Sequence, residues 1–249
     1  MKKLRQDYAA YTSEDQKVWS LLFNRQASIL SKFGSAAFLE AIEEVNFHDG
    51  KIPVFKEVDA ILLSTTGWQL EVVPGHIPPK DFFELLSQKK FPATAWLRKM
   101  NQLEYIEEPD MFHDVFGHVP LLVHEDYSNF LTGMAKIALK AMDHGQMIEL
   151  LSRMYWFTIE FGLIREKQGL KIYGAGILSS HGESAFSMSG KPDYRDFDVK
   201  TILETSFRTD AMQEQYFVIE SLSQLYHSLN EVEEWIERKI LSPLRETLG

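Results

Sequence analysis

The feature that most constrains the fold is an apolar run, residues 111–123, that carries two histidines five positions apart. Acidic residues and Pro109 precede the run, which is typical of the first turn of a helix. Gly117 can end a helix in the left-handed conformation, and the proline that follows prevents its resumption. This pattern predicts that His113 lies on a short helix and His118 just past its end, so that both imidazoles turn toward one point. On spacing alone, two core histidines bound to backbone groups are the more common arrangement.

A lone carboxylate, Glu160, stands in the strongly apolar stretch 150–164, which we interpret as a buried helix. An unpaired buried carboxylate is very costly, so such a group is usually paired, protonated or bound to a metal. Arg153 and Arg165 are not at the i±3 or i±4 positions from which helical side chains pair. Two histidines and one carboxylate are the donor set of non-haem Fe(II) oxygenases, and the same donors also suit zinc.

Three longer motifs contain these residues and share one resemblance. Residues 108–121, 155–163 and 173–180 closely resemble, in this order, the pterin-dependent aromatic amino acid hydroxylases. The likeness is greatest to the short bacterial phenylalanine 4-hydroxylases and extends over residues 11–226.

The resemblance implies a mainly α fold, a helical basket like the catalytic domain of these enzymes with a few short β-strands. It implies a monooxygenase that converts L-phenylalanine to L-tyrosine with O2 and tetrahydrobiopterin or a related tetrahydropterin. His113, His118 and Glu160 would hold Fe(II) and leave one face of the metal free. The expected partners are therefore L-phenylalanine, O2 and the reduced pterin, with the metal and the pterin carrying the difficult chemistry.

The same resemblance places a pterin site upstream of the first histidine. Phe82 matches the ring that stacks on the pterin, and the backbone near His76 and Ile77 is expected to hydrogen-bond the pterin edge. Asp114 would reach the pterin through water, and Tyr155 would line the cleft. Without the resemblance, Phe82 would be taken for a core residue of an amphipathic helix.

For the substrate, the resemblance implies contacts with Arg98, Trp156, Ser179 and Val218. Arg98 has the family spacing from the first histidine for the arginine that binds the amino acid carboxylate, and its planar fork suits a carboxylate. Sequence alone would make Arg98 a solvated surface charge.

Two further positions bear on the site. Glu183 matches a family acid and is expected to hydrogen-bond a ligand histidine. Ile106 stands where the animal enzymes carry a threonine near the substrate amino group, so that contact is left open.

Composition restricts the class of protein. The chain has 249 residues, 45% of them hydrophobic, and no Pro-, Gly- or Ser-rich linker, which predicts one catalytic domain over residues 1–249. A net charge of −10 without a long basic run argues against nucleic acid and membrane partners. The absence of cysteine excludes disulfides and thiolate metal sites. The basic residues 1–5 are not followed by an apolar signal core, so we expect a cytoplasmic location.

Two segments known from the animal enzymes are not expected. The chain begins almost at the catalytic portion, so we expect no regulatory domain. Residues 232–241 are too short for a stable coiled coil, so we expect no tetramerisation tail and a monomeric protein.

Periodicity and turn residues predict mostly helices with short strands. We expect a helix after the cap at residues 12–15, then helices over 35–44, 59–63, 78–89, 127–142 and 147–164 and from 210 onward. Extended segments are expected over 68–73, 94–98 and 170–173, and residues 52–58 are expected to be partly extended around Pro53.

Three rival functions compete with phenylalanine hydroxylation. Tyrosine or tryptophan hydroxylases would share the site, although Trp156 argues against tryptophan because that branch usually has a smaller ring there. A zinc hydrolase could use the same donors. A non-catalytic helical module would gain nothing from Glu160 in its apolar surroundings.

Overall fold

Helices form most of the chain and short strands fill the gaps between them. The computed structural model describes residues 4–104 and 106–246, with residues 240–246 described by their backbone; the basic residues 1–3 lie outside this range. The helices are α1 (Ser13–Phe33), α2 (Ala36–Glu44), α3 (Phe55–Thr65), α4 (Pro79–Ser87), α5 (Glu125–Lys140), α6 (Gly145–Tyr155), α7 (Ala175–Leu178), α8 (His181–Ser187), α9 (Val199–Glu204) and α10 (Leu222–Glu246). The strands are β1 (Gln69–Val72), β2 (Lys90–Ala93), β3 (Leu163–Glu166), β4 (Gly169–Ile172), β5 (Asp193–Asp196) and β6 (Gln215–Ile219).

Helices α1 and α2 begin where the sequence predicts. Thr12 and Asp15 form a reciprocal capping box at the start of α1, which satisfies two otherwise free backbone N–H groups. The apolar side chains of α1 are buried at Val18, Trp19, Leu22 and Leu30, whereas Leu21 is 43% exposed. Ser35 caps α2 through the N–H of Phe38. The predicted helices at 35–44, 78–89 and 127–142 are confirmed within a few residues.

The strands form two small sheets. β1 and β2 pair in parallel, with Gln69 opposite Lys90 and Val72 opposite Ala93. The second sheet has the order β4-β3-β6-β5, in which only the β3–β4 pair is antiparallel. The extended segments predicted at 68–73 and 170–173 correspond to β1 and β4.

One predicted strand is wrong. Residues 94–98 form no strand, because the N–H groups of Thr94 and Arg98 donate to the carboxylates of Asp114 and Asp110 instead of to a neighbouring strand. The segment 52–58 is non-helical around Pro53, as predicted, and α3 begins at Phe55, four residues before the helix predicted from residue 59.

Two predicted helices are also interrupted. The segment 147–164 leaves the α-helical form after Tyr155 and becomes β3 at Leu163. The segment from 210 contains β6 before helix α10 starts at Leu222. The continuous apolar run in β6 is buried between β3 and β5, where strands are apolar on both faces.

A connected apolar core links these elements. Among the described residues, one cluster of buried side chains extends from α1 through the central helices to α10. Helix α5 packs against both α4 and α10, and α7 packs against the segments that carry His113, His118 and Glu160. No helix in the described part of the chain is long and apolar enough to cross a membrane.

Candidate active site

Three side chains distant in sequence converge on one point. The Nε2 atom of His118 lies 3.1 Å from Oε1 of Glu160, and the Nε2 atom of His113 lies 3.6 Å from Oε2. The two imidazole Nε2 atoms are 3.3 Å apart. The structure therefore brings together the two histidines and the carboxylate that the sequence singles out.

A widened helical turn aligns the histidines. Residues Phe112–His118 form a π-helical segment, whose i→i+5 hydrogen bonds place residues five apart on the same side. The predicted helix break at Gly117 is wrong, because the helical turn continues through His118 and Gly117 does not have a positive φ. Gly117 is instead required by close packing, since a Cβ there would lie 2.9 Å from the carbonyl oxygen of Ala175. Pro109 precedes the first turn instead of lying in it.

A second π-helical segment, Trp156–Glu160, aims the carboxylate. The N–H of Phe161 donates to the carbonyl of Trp156 at 2.8 Å, which closes the wide turn. Gly174 lies directly against this turn, and a Cβ there would lie 2.4 Å from the carbonyl oxygen of Glu160. The close backbone contact fixes where the carboxylate emerges.

Ser179 sets the tautomer of His113. The Ser179 hydroxyl donates to the carbonyl of Ala175 at 2.8 Å, so its oxygen is left to accept from Nδ1 of His113 at 2.9 Å. A proton held on Nδ1 leaves the lone pair of Nε2 directed at Glu160. This is the arrangement in which an imidazole binds a metal.

The surroundings of His113 and Glu160 favour the charge states that a cation requires. Desolvation lowers the pKa of His113, which favours the neutral imidazole. Burial alone would raise the pKa of Glu160, but His118, His113 and the N–H of Gly176 reverse this, so its pKa lies below the ordinary value. Two imidazole nitrogens and one carboxylate fit a divalent metal such as Fe(II), with no thiolate in the set.

A cleft of about 190 Å³ opens beside these three side chains. It is bordered by all the residues expected to contact the pterin, and its lining is Val73, Gly75, His76, Ile77, Phe82, Phe91, Pro92, Thr94, Pro109, His113, Asp114, His118, Tyr155 and Glu160. The rings of Phe82 and Tyr155 meet edge to face with centroids 5.5 Å apart. The metal donors and the expected pterin contacts thus share one cleft.

Asp114 is held by one of its two oxygens. Both the N–H and the hydroxyl of Thr94 donate to Oδ2, at 2.8 and 2.9 Å. Burial raises the pKa of Asp114, against the opposing effect of His113 and of these bonds. Sequence reasoning did not identify Thr94, although a threonine just after a strand is a plausible hydrogen-bond donor to a carboxylate.

Arg98 is buried and paired, and not the surface charge that sequence alone suggests. It is 7% exposed, and its Nε and Nη2 atoms donate to the two oxygens of Asp110 at 2.9 and 2.8 Å. Asp110 also accepts the backbone N–H of Arg98 and of His113. Through Asp110, the arginine is therefore fixed to the turn that carries the first histidine.

Two further expected substrate residues, Trp156 and Val218, lie among apolar side chains. Trp156 contacts the rings of Phe161 and Phe207, with centroids 4.5 Å from each. Val218 is buried in β6 and pairs with Leu163.

Glu183 does not make the hydrogen bond to a ligand histidine that the sequence predicts. Its carboxylate accepts from the hydroxyl of Tyr216 at 2.6 Å and from the N–H of Gln213 at 3.3 Å, and the bond to a ligand histidine is made by Ser179. Neither partner of Glu183 could be inferred from spacing, because both lie about thirty residues away in a separate segment.

Comparisons with known proteins show the family of this chain. Residues 5–242 match the biopterin-dependent aromatic amino acid hydroxylases, and the chain belongs to this family. A phenylalanine-4-hydroxylase of Ralstonia nicotianae is 39% identical over 99% of this chain and 76% of that protein. A phenylalanine-4-hydroxylase of Chromobacterium violaceum is 42% identical over 90% of this chain and 75% of that protein.

Solved structures show the same fold. The Chromobacterium violaceum phenylalanine hydroxylase with bound iron(III) and oxidised cofactor 7,8-dihydrobiopterin superposes with a TM-score of 0.89 at 39% identity, over 97% of this chain and 86% of that one. The same enzyme bound to cobalt has a TM-score of 0.89, over 94% of this chain and 86% of that one. The predicted mainly α hydroxylase fold is thus confirmed.

Proposed function

We propose that this protein is a phenylalanine 4-monooxygenase, which hydroxylates L-phenylalanine to L-tyrosine with O2 and a tetrahydropterin at a non-haem iron. The observation that carries this proposal is the convergence of His113, His118 and Glu160 beside an aromatic-lined cleft. Relatives named phenylalanine-4-hydroxylase that align with most of the chain support it.

His113, His118 and Glu160 would hold the iron. When bound, the iron and the reduced pterin supply the activation of dioxygen and the electrons it needs. Three protein donors on one side leave the other side of the metal for the reactants. Ser179 contributes by keeping the proton of His113 on Nδ1.

The cleft would hold the pterin. Phe82 and Tyr155 offer ring faces and edges for a flat heterocycle, and the backbone at His76 and Ile77 offers polar groups at its rim. Asp114 keeps one oxygen free for the pterin or a bridging water, because Thr94 occupies only the other oxygen.

Arg98, Trp156, Ser179 and Val218 would position the amino acid. The substrate carboxylate must lose water on entering an apolar pocket, and a charged donor compensates that loss. Arg98 still has free N–H groups for this role after its two bonds to Asp110, since a guanidinium carries five. The apolar wall at Trp156 and Val218 would exclude water from the ring.

We also propose that residues 1–249 act as one catalytic domain, as a monomer in the cytoplasm. The continuous core supports a single domain. The burial of the apolar face of α10 supports a monomer, and the cysteine-free composition is consistent with a cytoplasmic location.

The direct test is to identify the products formed from phenylalanine. The purified protein with Fe(II), oxygen and a tetrahydropterin should yield tyrosine, and omission of the pterin or replacement of iron by zinc should stop it. Activity with zinc alone, or tyrosine formation without any pterin, would contradict the proposal. The same assay with tyrosine or tryptophan in place of phenylalanine tests whether the protein is instead a tyrosine or tryptophan hydroxylase.

A further inference from the structure

Gln213 is a buried polar residue in contact with Trp156, one of the expected substrate residues. It is 6% exposed and lies in the loop of residues 205–214, between α9 and β6. Its Oε1 accepts the indole N–H of Trp156 at 2.9 Å. Its Nε2 donates to the carbonyls of Arg208 and Ala211 at 2.9 and 3.2 Å. The amide oxygen and the amide nitrogen of Gln213 are therefore both hydrogen-bonded, the oxygen to the indole of Trp156.

The same loop also contributes a ring that stacks on Trp156. Phe207 stacks on the indole with centroids 4.5 Å apart and planes inclined by 18°. Phe161, outside the loop, contacts the indole at the same centroid distance with its plane inclined by 35°. Stacking limits how far the indole can tilt, but it does not fix rotation within the ring plane. The hydrogen bond from Gln213 supplies that missing restraint, because it is directional.

Glu183 fixes the loop of residues 205–214. Glu183 accepts the backbone N–H of Gln213 and the hydroxyl of Tyr216, so the loop is tied to α8 and to β6. Glu183 is 7% exposed, and a buried carboxylate with two donors is a strong anchor. The anchor, Gln213 and Trp156 thus form a connected chain of contacts that ends at the pocket wall.

We propose that Gln213 is a positioning residue for Trp156 and thereby determines which aromatic ring the pocket accepts. The inference rests on the proposed function, because it takes Trp156 to be a wall of the phenylalanine pocket. The hydrogen bond holds the indole edge in one position at the wall of the proposed substrate pocket, and this position leaves room for a single benzene ring. Without it, the indole N–H is left unpaired and the ring can move aside, which admits a larger substrate.

The test compares Gln213→Met with wild type, Trp156→Phe and the double variant. In Gln213→Met, the ratio of kcat/KM for phenylalanine to that for tryptophan should fall on the order of tenfold. In the Trp156→Phe background there is no indole N–H to hold, so the same change should alter the ratio less than about twofold. Gln213→Asn, which is one carbon shorter, repeats the test if Gln213→Met does not fold.

A matched control is Thr132→Val. Thr132 is also buried, in helix α5, and its hydroxyl donates to the carbonyl of Ser128 at 2.9 Å. This variant loses a comparable buried hydrogen bond and should lose stability, but its substrate ratio should stay that of wild type.

A spectroscopic measurement checks the contact without turnover. With 15N-labelled indoles, the N–H resonance of Trp156 is assigned by its loss in Trp156→Phe, and in Gln213→Met it should shift to the range of an indole without an acceptor. An unchanged resonance, an unchanged substrate ratio, or an equal change in the Trp156→Phe background would overturn the inference. Wild-type protein that forms no tyrosine would instead overturn the proposed function.

Discussion

Arg98 and Asp110 form a pair in which each side chain depends on the other. Asp110 is completely buried, and the guanidinium supplies two of its hydrogen bonds. Removing the arginine would leave an uncompensated buried carboxylate, a change that typically costs about 3–5 kcal/mol. Arg98→Ala therefore mixes loss of stability with loss of substrate binding, and Arg98→Lys is the cleaner variant.

We predict that Arg98→Lys lowers kcat/KM for phenylalanine by about 2 kcal/mol in transition-state free energy, because lysine keeps the charge but not the planar fork. Iron content should not change, while more pterin should be oxidised per tyrosine formed. Steady-state kinetics that count tyrosine and oxidised pterin separately make this measurement. Arg165→Lys, at an exposed ion-paired arginine, is the control. Wild-type kinetics in Arg98→Lys would show that another group binds the carboxylate.

Glu108 hydrogen-bonds the loop at the rim of the cleft that is expected to bind the pterin. Its Oε1 atom accepts the N–H of His76 at 3.2 Å, and a Cβ on Gly75 would lie 2.0 Å from that oxygen. The loop before the iron-binding turn thus holds the loop that is expected to contact the pterin. Holding a loop in its bound form reduces the entropy lost on binding.

We predict that Glu108→Ala and Gly75→Ala each weaken binding of 7,8-dihydrobiopterin by about three- to tenfold, the effect expected for a loop that must be ordered on binding. Glu108→Gln keeps the acceptor oxygen and should bind nearly as well as wild type. Calorimetric titration gives these affinities, with the exposed neighbour change Glu107→Ala as control. Equal affinity in all five proteins would mean that the contact does not support the cleft.

At the scale of elements, the two π-helical segments determine the site. A regular α-helix would place residues five apart roughly 140° from each other around its axis. The wider turn at Phe112–His118 removes this offset, and the turn at Trp156–Glu160 directs the carboxylate toward the histidines. Both turns pack against α7, where Gly174 allows direct backbone contact.

We predict that Gly174→Ala lowers the melting temperature by several degrees and reduces iron retention, because its Cβ would lie 2.4 Å from backbone atoms of Glu160 and Gly162. Gly145→Ala is the matched control, since no atom lies within 4 Å of its added Cβ. As alanine favours helices, this control should be neutral or slightly stabilising. Thermal unfolding and metal analysis compare the two, and equal behaviour would argue against the packing explanation.

Sequence reasoning succeeded where a local signal existed. The cap at Thr12 and the apolar stripe behind it define α1, and the cost of burying Glu160 alone indicates a bound partner. It failed where the deciding contact is distant in sequence. The run at residues 216–219 fits a helix or a buried strand equally well, and only the neighbouring strands decide between them. The π-helical turns have no periodicity of their own, so the predicted break at Gly117 was the simpler solution.

At the scale of the whole molecule, helix α10 buries its apolar side against other helices of the same chain. Leu225 and Val232 are completely buried, and α10 packs along α5. A helix that joins subunits would need a further apolar stripe facing outward. The described part of α10, through residue 239, leaves mainly polar side chains on its outer side.

We predict that the protein is a monomer at micromolar concentration. Static light scattering coupled to size exclusion should give the mass of one chain, 28.8 kDa, independent of loading. A stable dimer or tetramer would show that another surface carries an interface.

The central claim is that His113, His118 and Glu160 together hold the catalytic iron. The most direct measurement is the iron bound per chain after anaerobic loading and desalting, in wild type, His118→Ala and Glu160→Gln, with circular dichroism to verify folding. We predict one iron per wild-type chain, and in both folded variants a large loss of iron together with loss of tyrosine formation. Full iron retention with full activity in either folded variant would contradict it.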